Sequence, residues 1–308
     1  MTKSTKPSNA ERVDVYERVT ARLIECIEQG TRPWATPWDT SAPQAAAGRP
    51  IRHNGTPYQG INVLLLWAEA LNKGYTATRW MTYRQASELG GQVRAGERGA
   101  LVVFANRVTR TTENEQGEEE ERSLAVLKGY TVFNVEQIDG LPADLSSGPA
   151  TPAVQKPSSG LAPAVAEFFA RTGATVRLGG NKAFYSPGYD AIQLPPVAAF
   201  RDVHAFAATQ AHELIHWTGH PDRLAREFGK RFGDEAYAVE ELVAEVGAAF
   251  LCADLGVPSS VRDDHAAYVA SWLKVLKSDK RAIFTAATQA QKAVDWLHGL
   301  QEPVQAAA

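Results

Sequence analysis

His212-Glu213-Leu214-Ile215-His216 combines two imidazoles and a carboxylate at a spacing that suits a metal ion. Residues four apart lie on one face of a helix, so both imidazoles can reach the same small cation. Glu213 flanks that position, where it can act as the general base for a water molecule. We therefore predict a Zn²⁺ cofactor and Glu213 as the catalytic residue. The alternative is two surface histidines beside an ordinary glutamate.

A catalytic zinc site needs a third protein ligand and one open position. Our preferred candidate is Glu241, which shares a helix face with Glu245 in an otherwise apolar stretch. Charged residues are rarely buried there unless they are paired or bind a metal. The predicted metal ligands are therefore His212, His216 and Glu241. Other residues stay open as the third ligand: Asp222, which completes an HExxHxxGxxD pattern, His220, Glu240 and Glu245. Oxyanion stabilisation is open among Tyr185, Tyr189, Tyr237 and His220.

The residues around this motif predict a small sheet followed by helices. Short strands are expected at 174–178, 183–185 and 191–194, after a helix at 161–171. The helix that carries the motif starts at about Pro195-Pro196. Further helices are expected at 237–255, 265–276 and 280–300. This layout is similar to that of a zincin-type metallopeptidase.

The first half of the chain predicts a separate α+β unit. Its apolar periodicity indicates helices at 10–30, 61–71 and 82–89 and strands at 100–108 and 124–135. Residues 111–122, with a run of four glutamates, are expected to form a long hairpin tip. Residues 140–160 are rich in Pro and Ser, which favours a linker. The predicted fold class is thus α+β, with two domains at 1–139 and 161–308 joined by that linker, each with its own core.

The composition of the 308 residues, 44% hydrophobic and 22% charged, is typical of a soluble globular protein. No apolar run approaches the ~20 residues of a membrane span, and no signal peptide is evident, so we expect no membrane association. Cys26 and Cys252 both fall in predicted helices and are expected to be small buried apolar residues. We therefore predict a reducing, cytoplasmic location.

A basic, aromatic segment lies within the first half, although the net charge of the chain is −3. Residues 49–110 contain nine Lys or Arg and three acidic residues. Flat rings beside positive charge suit single-stranded DNA, whose bases stack and whose phosphates pair with arginine. The candidate DNA-binding residues are Trp34, Trp38, Tyr58, Arg79, Trp80, Arg94 and Arg98. The alternative is that the rings belong to the core and that the charges are merely solvated.

Several motifs of the first half resemble the N-terminal domain of ArdC-type antirestriction proteins, which is shared with TraC-type primases. They are Gly30…Pro33-Trp34…Pro37-Trp38, Tyr58-Gln59-Gly60-Ile61-Asn62, Arg79-Trp80-Met81-Thr82 and Val93-Arg94-Ala95-Gly96-Glu97. No primase motif is visible, so we expect the likeness to TraC to stop at this domain. The second half, from His212 to His220 and from Tyr237 to Glu245, resembles the zincin-like metallopeptidase domain that accompanies it.

The resemblance implies an antirestriction protein that binds single-stranded DNA and protects incoming plasmid DNA during conjugation. Its peptidase domain would act on a protein substrate such as a restriction enzyme or a DNA-bound protein. Two other hypotheses stay open. The metal could be purely structural in a protein that protects DNA by binding alone, or the chain could be a protease of DNA–protein complexes without an antirestriction role.

Overall fold

The computed structural model describes residues 14–34, 48–113, 119–146, 161–228, 235–258 and 266–301. Within these ranges helices and sheets are mixed in both halves of the chain, which confirms the α+β prediction. No helix in the described ranges is long and apolar enough to span a membrane.

The N-terminal half packs helices against a small mixed sheet. Its helices are α1 (Val15–Glu28), α2 (Ile61–Lys73) and α3 (Tyr83–Glu88). Its main strands are β1 (Ile51–Arg52), β2 (Arg79–Met81), β4 (Ala100–Glu113) and β5 (Glu119–Asn134). They lie in the order β1-β2-β5-β4, with only β1 and β2 parallel. The short strands β3 (Gln92–Val93) and β6 (Ile138–Asp139) form a separate antiparallel pair.

The hairpin of β4 and β5 is longer than the sequence indicated. Its ladder runs from Ala100 opposite Val132 to Glu113 opposite Glu119, so the tip predicted at 111–122 is wrong at 111–113 and 119–122. Residues 114–118 lie outside the described ranges. Threonines on β4 favour extended backbone, and each added pair continues the same hydrogen-bonding register. Glu119, Glu120 and Glu121 of the acidic run therefore lie in a strand in place of a loop.

The predicted linker also contains regular structure. Helix α4 (Ala143–Ser146) lies inside 140–160, so that stretch is not wholly irregular. Residues 147–160 lie outside the described ranges. The Pro- and Ser-rich composition of the segment did not indicate this single helical turn.

The C-terminal half contains a three-stranded sheet and a group of helices. After α5 (Pro163–Arg171) come β7 (Thr175–Leu178), β8 (Phe184–Ser186) and β9 (Ala191–Leu194), in the order β7-β9-β8. Strand β7 is parallel to β9 and β8 is antiparallel to it. The remaining helices are α6 (Val203–Thr218), α7 (Glu235–Leu255), α8 (Ala266–Ser278) and α9 (Ala282–Gly299).

Helix α6, which carries both histidines of the motif, begins later than predicted. Pro195 and Pro196 precede a short 3₁₀ turn at Val197–Ala199. The N-cap of α6 is Asp202, whose carboxylate accepts a hydrogen bond of 2.7 Å from the backbone N–H of Ala205. A side-chain cap of this kind satisfies a donor that the first turn leaves unpaired, so it fixes the start of the helix.

The two halves share a large hydrophobic core, although the sequence suggested one core for each, and the N-terminal half has in addition a smaller cluster around Met81 and Ile138. Trp34 meets Trp272 edge to face at 6.0 Å, and Trp67 meets Phe250 at 5.8 Å. Helix α1 packs on α8, and α2 packs on α9. The buried cluster is continuous from α1 to α9 and includes both cysteines, which are free as predicted. The N-terminal half is therefore part of the support of the C-terminal helices.

A buried polar contact also joins the halves. The Arg49 guanidinium forms an ion pair with Asp254: Nε lies 2.7 Å from Oδ1, and an NH2 group donates a hydrogen bond of 3.0 Å to Oδ2. It donates a further bond of 2.7 Å to Gln291, whose Oε1 also accepts the backbone N–H of Gly60. The guanidinium carbon lies 4.6 Å from the centroid of the Phe250 ring.

Candidate metal centre

Helices α6 and α7 bring three potential metal ligands together. One donor atom each from His212, His216 and Glu241 lies within 4.8 Å of the others. All three residues are largely shielded from solvent. The structure thus places Glu241, our preferred third ligand, next to both histidines, and its role as a ligand stays a prediction.

Close packing of the two helices produces this arrangement. Gly247 of α7 faces Ile215 of α6, and a Cβ atom on Gly247 would lie 2.9 Å from Cγ2 of Ile215. That distance is shorter than ordinary van der Waals contact, so the missing side chain permits the approach. Leu214 and Ile215 are fully buried on the same helix. The sequence Leu214-Ile215, between the histidines, thus anchors α6 while His212 and His216 face α7.

The two nitrogens of each imidazole face different acids. Nε2 of His212 and of His216 lie 3.6 Å and 3.5 Å from the two carboxylate oxygens of Glu241. Ligands at about 2.1 Å from a tetrahedral ion would be about 3.4 Å apart, so this spacing fits one cation. The Nδ1 atoms face other acids, Glu245 at 3.7 Å and Glu240 at 3.1 Å. Donation from Nδ1 of His216 to Glu240 would fix the tautomer that leaves its Nε2 available to a metal.

Glu240 is in turn held by an arginine. The Arg226 guanidinium donates two bonds to the Glu240 carboxylate, at 3.0 Å and 2.8 Å. It also donates to the Ile215 carbonyl and the Thr218 hydroxyl, at 2.6 Å and 2.8 Å, near the C-terminus of α6. Arg226 therefore links the end of α6 to the acid that orients His216.

Electrostatics keep the acids of the centre ionised. Burial disfavours the Glu241 carboxylate, but the hydrogen bond from His212, the charges of both histidines and a hydrogen bond from Tyr237 lower its pKa to about 2. For Glu240, burial is likewise outweighed by His216 and Arg226, and its pKa is lowered. Deprotonated carboxylates are the form that binds metal or accepts an imidazole N–H.

Glu213, the predicted general base, is buried on α6 directly after His212. Its identity as a base stays a prediction. Of the possible oxyanion stabilisers, Tyr237 is tied to the centre, because its hydroxyl contacts Glu241 and lies 3.3 Å from that of Tyr268. Tyr185 bonds Asp190 at 2.9 Å, whereas Tyr189 is largely exposed.

The other proposed third ligands lie elsewhere. The Asp222 side chain is 86% exposed, and its backbone N–H donates to Nδ1 of His220 at 3.2 Å. Neither residue belongs to the ligand cluster of the described ranges. Glu240 and Glu245 face the Nδ1 side of the histidines. A role in orienting the ligands suits them better than direct binding.

The predicted DNA-binding residues are divided between core and surface. Trp34, Tyr58 and Trp80 are buried, so these rings present no free face to a base in this structure. The Arg79 guanidinium donates to the carbonyl of His53 at 2.6 Å. Arg94 and Arg98 are exposed, and Arg94 pairs with Glu97 and Asp139. Trp38 lies outside the described ranges.

Sequence reasoning missed two residues of the metal centre. Glu240 was considered only as a ligand, although adjacent acids such as Glu240 and Glu241 necessarily point about 100° apart on a helix. Arg226 carried no signal, because its contact with Glu240 depends on the loop after α6. Only the structure shows this pairing.

The fold and the cluster define a chain with a zincin-like metallopeptidase domain. Residues 163–289 match the family described as zincin-like metallopeptidase, and residues 13–133 match the N-terminal domain of anti-restriction factor ArdC. The crystal structure of the metal-free antirestriction ArdC protein from plasmid R388 is 47% identical, with a TM-score of 0.80, covering 93% of this chain and 97% of that one. The Mn(II)-bound structure of the same protein is 46% identical, with a TM-score of 0.76, and the match covers 95% of this chain and 100% of that one. The chain belongs to the ArdC family of antirestriction proteins.

Two further relatives show how far the similarity extends. Uncharacterized protein y4eC of Sinorhizobium fredii is 41% identical, covering 95% of this chain and 94% of that protein. DNA primase TraC of Escherichia coli is 38% identical across 93% of this chain, which spans only 27% of the primase. Our expectation that the likeness to TraC stops at the first domain is therefore wrong.

Proposed function

We propose that this chain is a cytoplasmic antirestriction protein that binds single-stranded DNA and protects incoming plasmid DNA during conjugation. Its C-terminal half would hold a divalent metal, for which we propose Zn²⁺, in a metallopeptidase-like centre. The observation that carries the proposal is the joint presence of the ArdC fold over nearly the whole chain and the buried cluster of His212, His216 and Glu241. The Mn(II)-bound structure of the R388 protein supports a divalent cation as the metal.

The residues of the centre suit peptide hydrolysis. A bound zinc ion lowers the pKa of water and polarises a carbonyl. Glu213 would accept the proton of the attacking water, as a carboxylate adjacent to the ligands can. Glu240 and Glu245 would hold the histidines through Nδ1, and Tyr237 would hold Glu241. The proposed substrate is a protein, either a restriction enzyme or another protein bound to DNA.

The first test is binding of full-length protein to single- and double-stranded oligonucleotides across a salt series. Full-length protein is required because the two halves share a core. We expect a preference for single strands and an affinity that falls with salt, since phosphate contacts release counterions. Equal or absent binding of both forms would remove the physical basis of the antirestriction proposal.

Replacing Glu213 by Ala separates catalysis from binding. Because Glu213 is not a proposed ligand, the variant should retain metal and single-stranded DNA affinity while losing any peptidase activity. Metal content, DNA affinity and cleavage of a denatured protein substrate would be measured on the same preparation. Loss of DNA binding in this variant would count against separate roles for the two halves.

A structural metal is the alternative proposal. The shielded ligands and their second layer of acids are also compatible with a metal that only stabilises α6 and α7. Under that alternative, chelation would lower thermal stability of the chain and no peptide cleavage would be found in any metal-loaded sample. Cleavage that disappears in Glu213→Ala, with stability retained, would exclude it.

A further inference from the structure

Three aromatic rings and one arginine form a continuous row on the N-terminal half. The guanidinium carbon of Arg52 lies 5.5 Å from the ring centroid of Tyr58 and 5.4 Å from that of Phe104. The Phe104 ring then meets the Tyr130 ring edge to face, with centroids 5.5 Å apart. We refer to Tyr58, Arg52, Phe104 and Tyr130 as the ring row. None of the last three was among the residues that the sequence singled out for DNA binding.

The charge of Arg52 has no counter-ion in the described part of the chain. Its Nε atom is buried and has no hydrogen-bond acceptor there, while the residue as a whole is only partly buried. By contrast, the guanidinium of Arg49 has a carboxylate partner, Asp254, and also donates to Gln291. A guanidinium that lies between two rings and lacks a carboxylate keeps donors for an added anion.

The other end of the row is open to solvent. Tyr130 is 42% exposed, whereas Tyr58, at the opposite end of the row, is buried. Lys128, also exposed, lies two residues earlier on the same strand, and residues two apart on a strand share a face. The row therefore presents an accessible ring beside two positive charges, Arg52 and Lys128.

The backbone beneath the row is firmly held. Arg79 donates hydrogen bonds to the carbonyls of His53, at 2.6 Å, and of Arg52, at 3.4 Å, so it fixes the turn that carries Arg52. The Asn62 side chain bonds both the N–H and the C=O of Val103, at 2.7 Å and 2.8 Å, which fixes the strand next to Phe104. The row is thus preorganised, which reduces the entropy lost when a ligand binds.

We propose that the ring row is a contact surface for single-stranded DNA, in which a base stacks on Tyr130 and the neighbouring phosphate pairs with Arg52. This inference rests on the proposed DNA-binding function and specifies where on the N-terminal half it occurs. Base faces are free to stack only in an unpaired strand, so the surface selects single strands over duplex. Arg79 then has a supporting role under Arg52 in place of the direct contact that the sequence suggested.

Anisotropy of a labelled oligothymidine with full-length protein tests the surface. We expect Tyr130→Leu to weaken binding at least fivefold, which corresponds to about the smallest binding energy measured for the stacking of one base on an aromatic ring. Arg52→Gln should reduce the slope of log affinity against log salt by about 0.7, the value for one phosphate contact on a single strand. Matched controls are Tyr83→Leu and Arg84→Gln, an exposed ring and an exposed arginine on α3, which should bind as the parent does.

The outcomes distinguish this inference from the function on which it rests. If the parent protein does not bind oligothymidine, the proposed function fails and the surface with it. If the parent binds and Tyr130→Leu binds equally well, the ring row is refuted while the proposed function stands. Equal weakening by the Tyr83→Leu control would also refute it. Should Arg52→Gln fail to fold, the comparison of Tyr130→Leu with Tyr130→Phe tests the surface. Tyr130→Phe keeps the aromatic ring and should therefore bind oligothymidine as the parent does, whereas Tyr130→Leu should bind more weakly.

Discussion

Replacing Arg49 by Met should destabilise both halves of the molecule at once. The Arg49 side chain is 6% exposed and its guanidinium bonds Asp254, on α7, and Gln291, on α9. Met retains the apolar stem but removes every donor, so the Asp254 carboxylate would lose its main partner. The contact joins residues 205 positions apart in the chain, and local structure cannot replace it.

The magnitude follows from burial. Removing one partner of a buried ion pair costs about 3–5 kcal/mol, because the remaining charge is left without compensation. The Asp254 side chain stays 21% exposed and keeps a contact of 3.1 Å with Nε2 of His298. We therefore expect the lower end, a loss of about 3 kcal/mol in the free energy of unfolding. Arg84→Met is the control, since its ion pair with Glu88 is exposed and is worth about 0.3–0.5 kcal/mol.

Chemical denaturation and hydrogen exchange would measure this effect. Denaturation gives the change in free energy, and exchange shows where protection is lost. We expect Arg49→Met to lower protection in α2 and α9 together, because both lie on the shared core. Loss of protection in α2 alone would contradict a core shared by the two halves. A change in unfolding free energy below about 1 kcal/mol, the scale of an exposed ion pair, would contradict it as well.

Three further predictions concern the metal centre and its surroundings. Glu240→Gln should weaken metal affinity about 10–100-fold by removing the anionic partner of His216, as competition with a chelating dye would show; unchanged affinity would exclude an orienting role. Gly247→Ala should cost about 1–3 kcal/mol of unfolding free energy and also weaken metal binding, and a gain in stability would contradict the close packing of α6 and α7. The hydrogen bond from Arg223 lowers the pKa of Asp190 in the folded protein. Ionised Asp190 therefore stabilises the fold above its unfolded pKa of about 3.9, and this stabilisation is lost as the pH falls. Asp190→Asn should flatten the pH dependence of the unfolding free energy below about pH 4, and an unchanged slope would count against this contribution.

The relative positions of the candidate ligands could be predicted from the sequence, because they depend on helical spacing. The four-residue repeats place His212 with His216 and Glu241 with Glu245 on common faces, and the structure brings these faces together. The role of Glu240 and the contact from Arg226 could not be predicted, since they depend on a loop path that leaves no periodic signal.

The aromatic residues show the opposite case. Trp34 and Trp80 stand in motifs beside positive charge, but both rings are buried, and Trp34 packs against Trp272 of the other half. Composition alone does not distinguish a stacking ring from a core ring, because both are large, flat and apolar. Exposure together with the neighbouring charges of Arg52 and Lys128 makes the distinction, and it favours Tyr130, which the sequence did not single out.

Conjugative transfer into a restricting recipient tests the central claim most directly. The transferred plasmid would carry unmethylated restriction sites and would encode either this chain or no such protein, with a non-restricting recipient as the control. The account predicts that the chain raises transfer into the restricting recipient and leaves transfer into the control unchanged. Equal transfer with and without the chain, in cells that contain the folded protein, would contradict the antirestriction function.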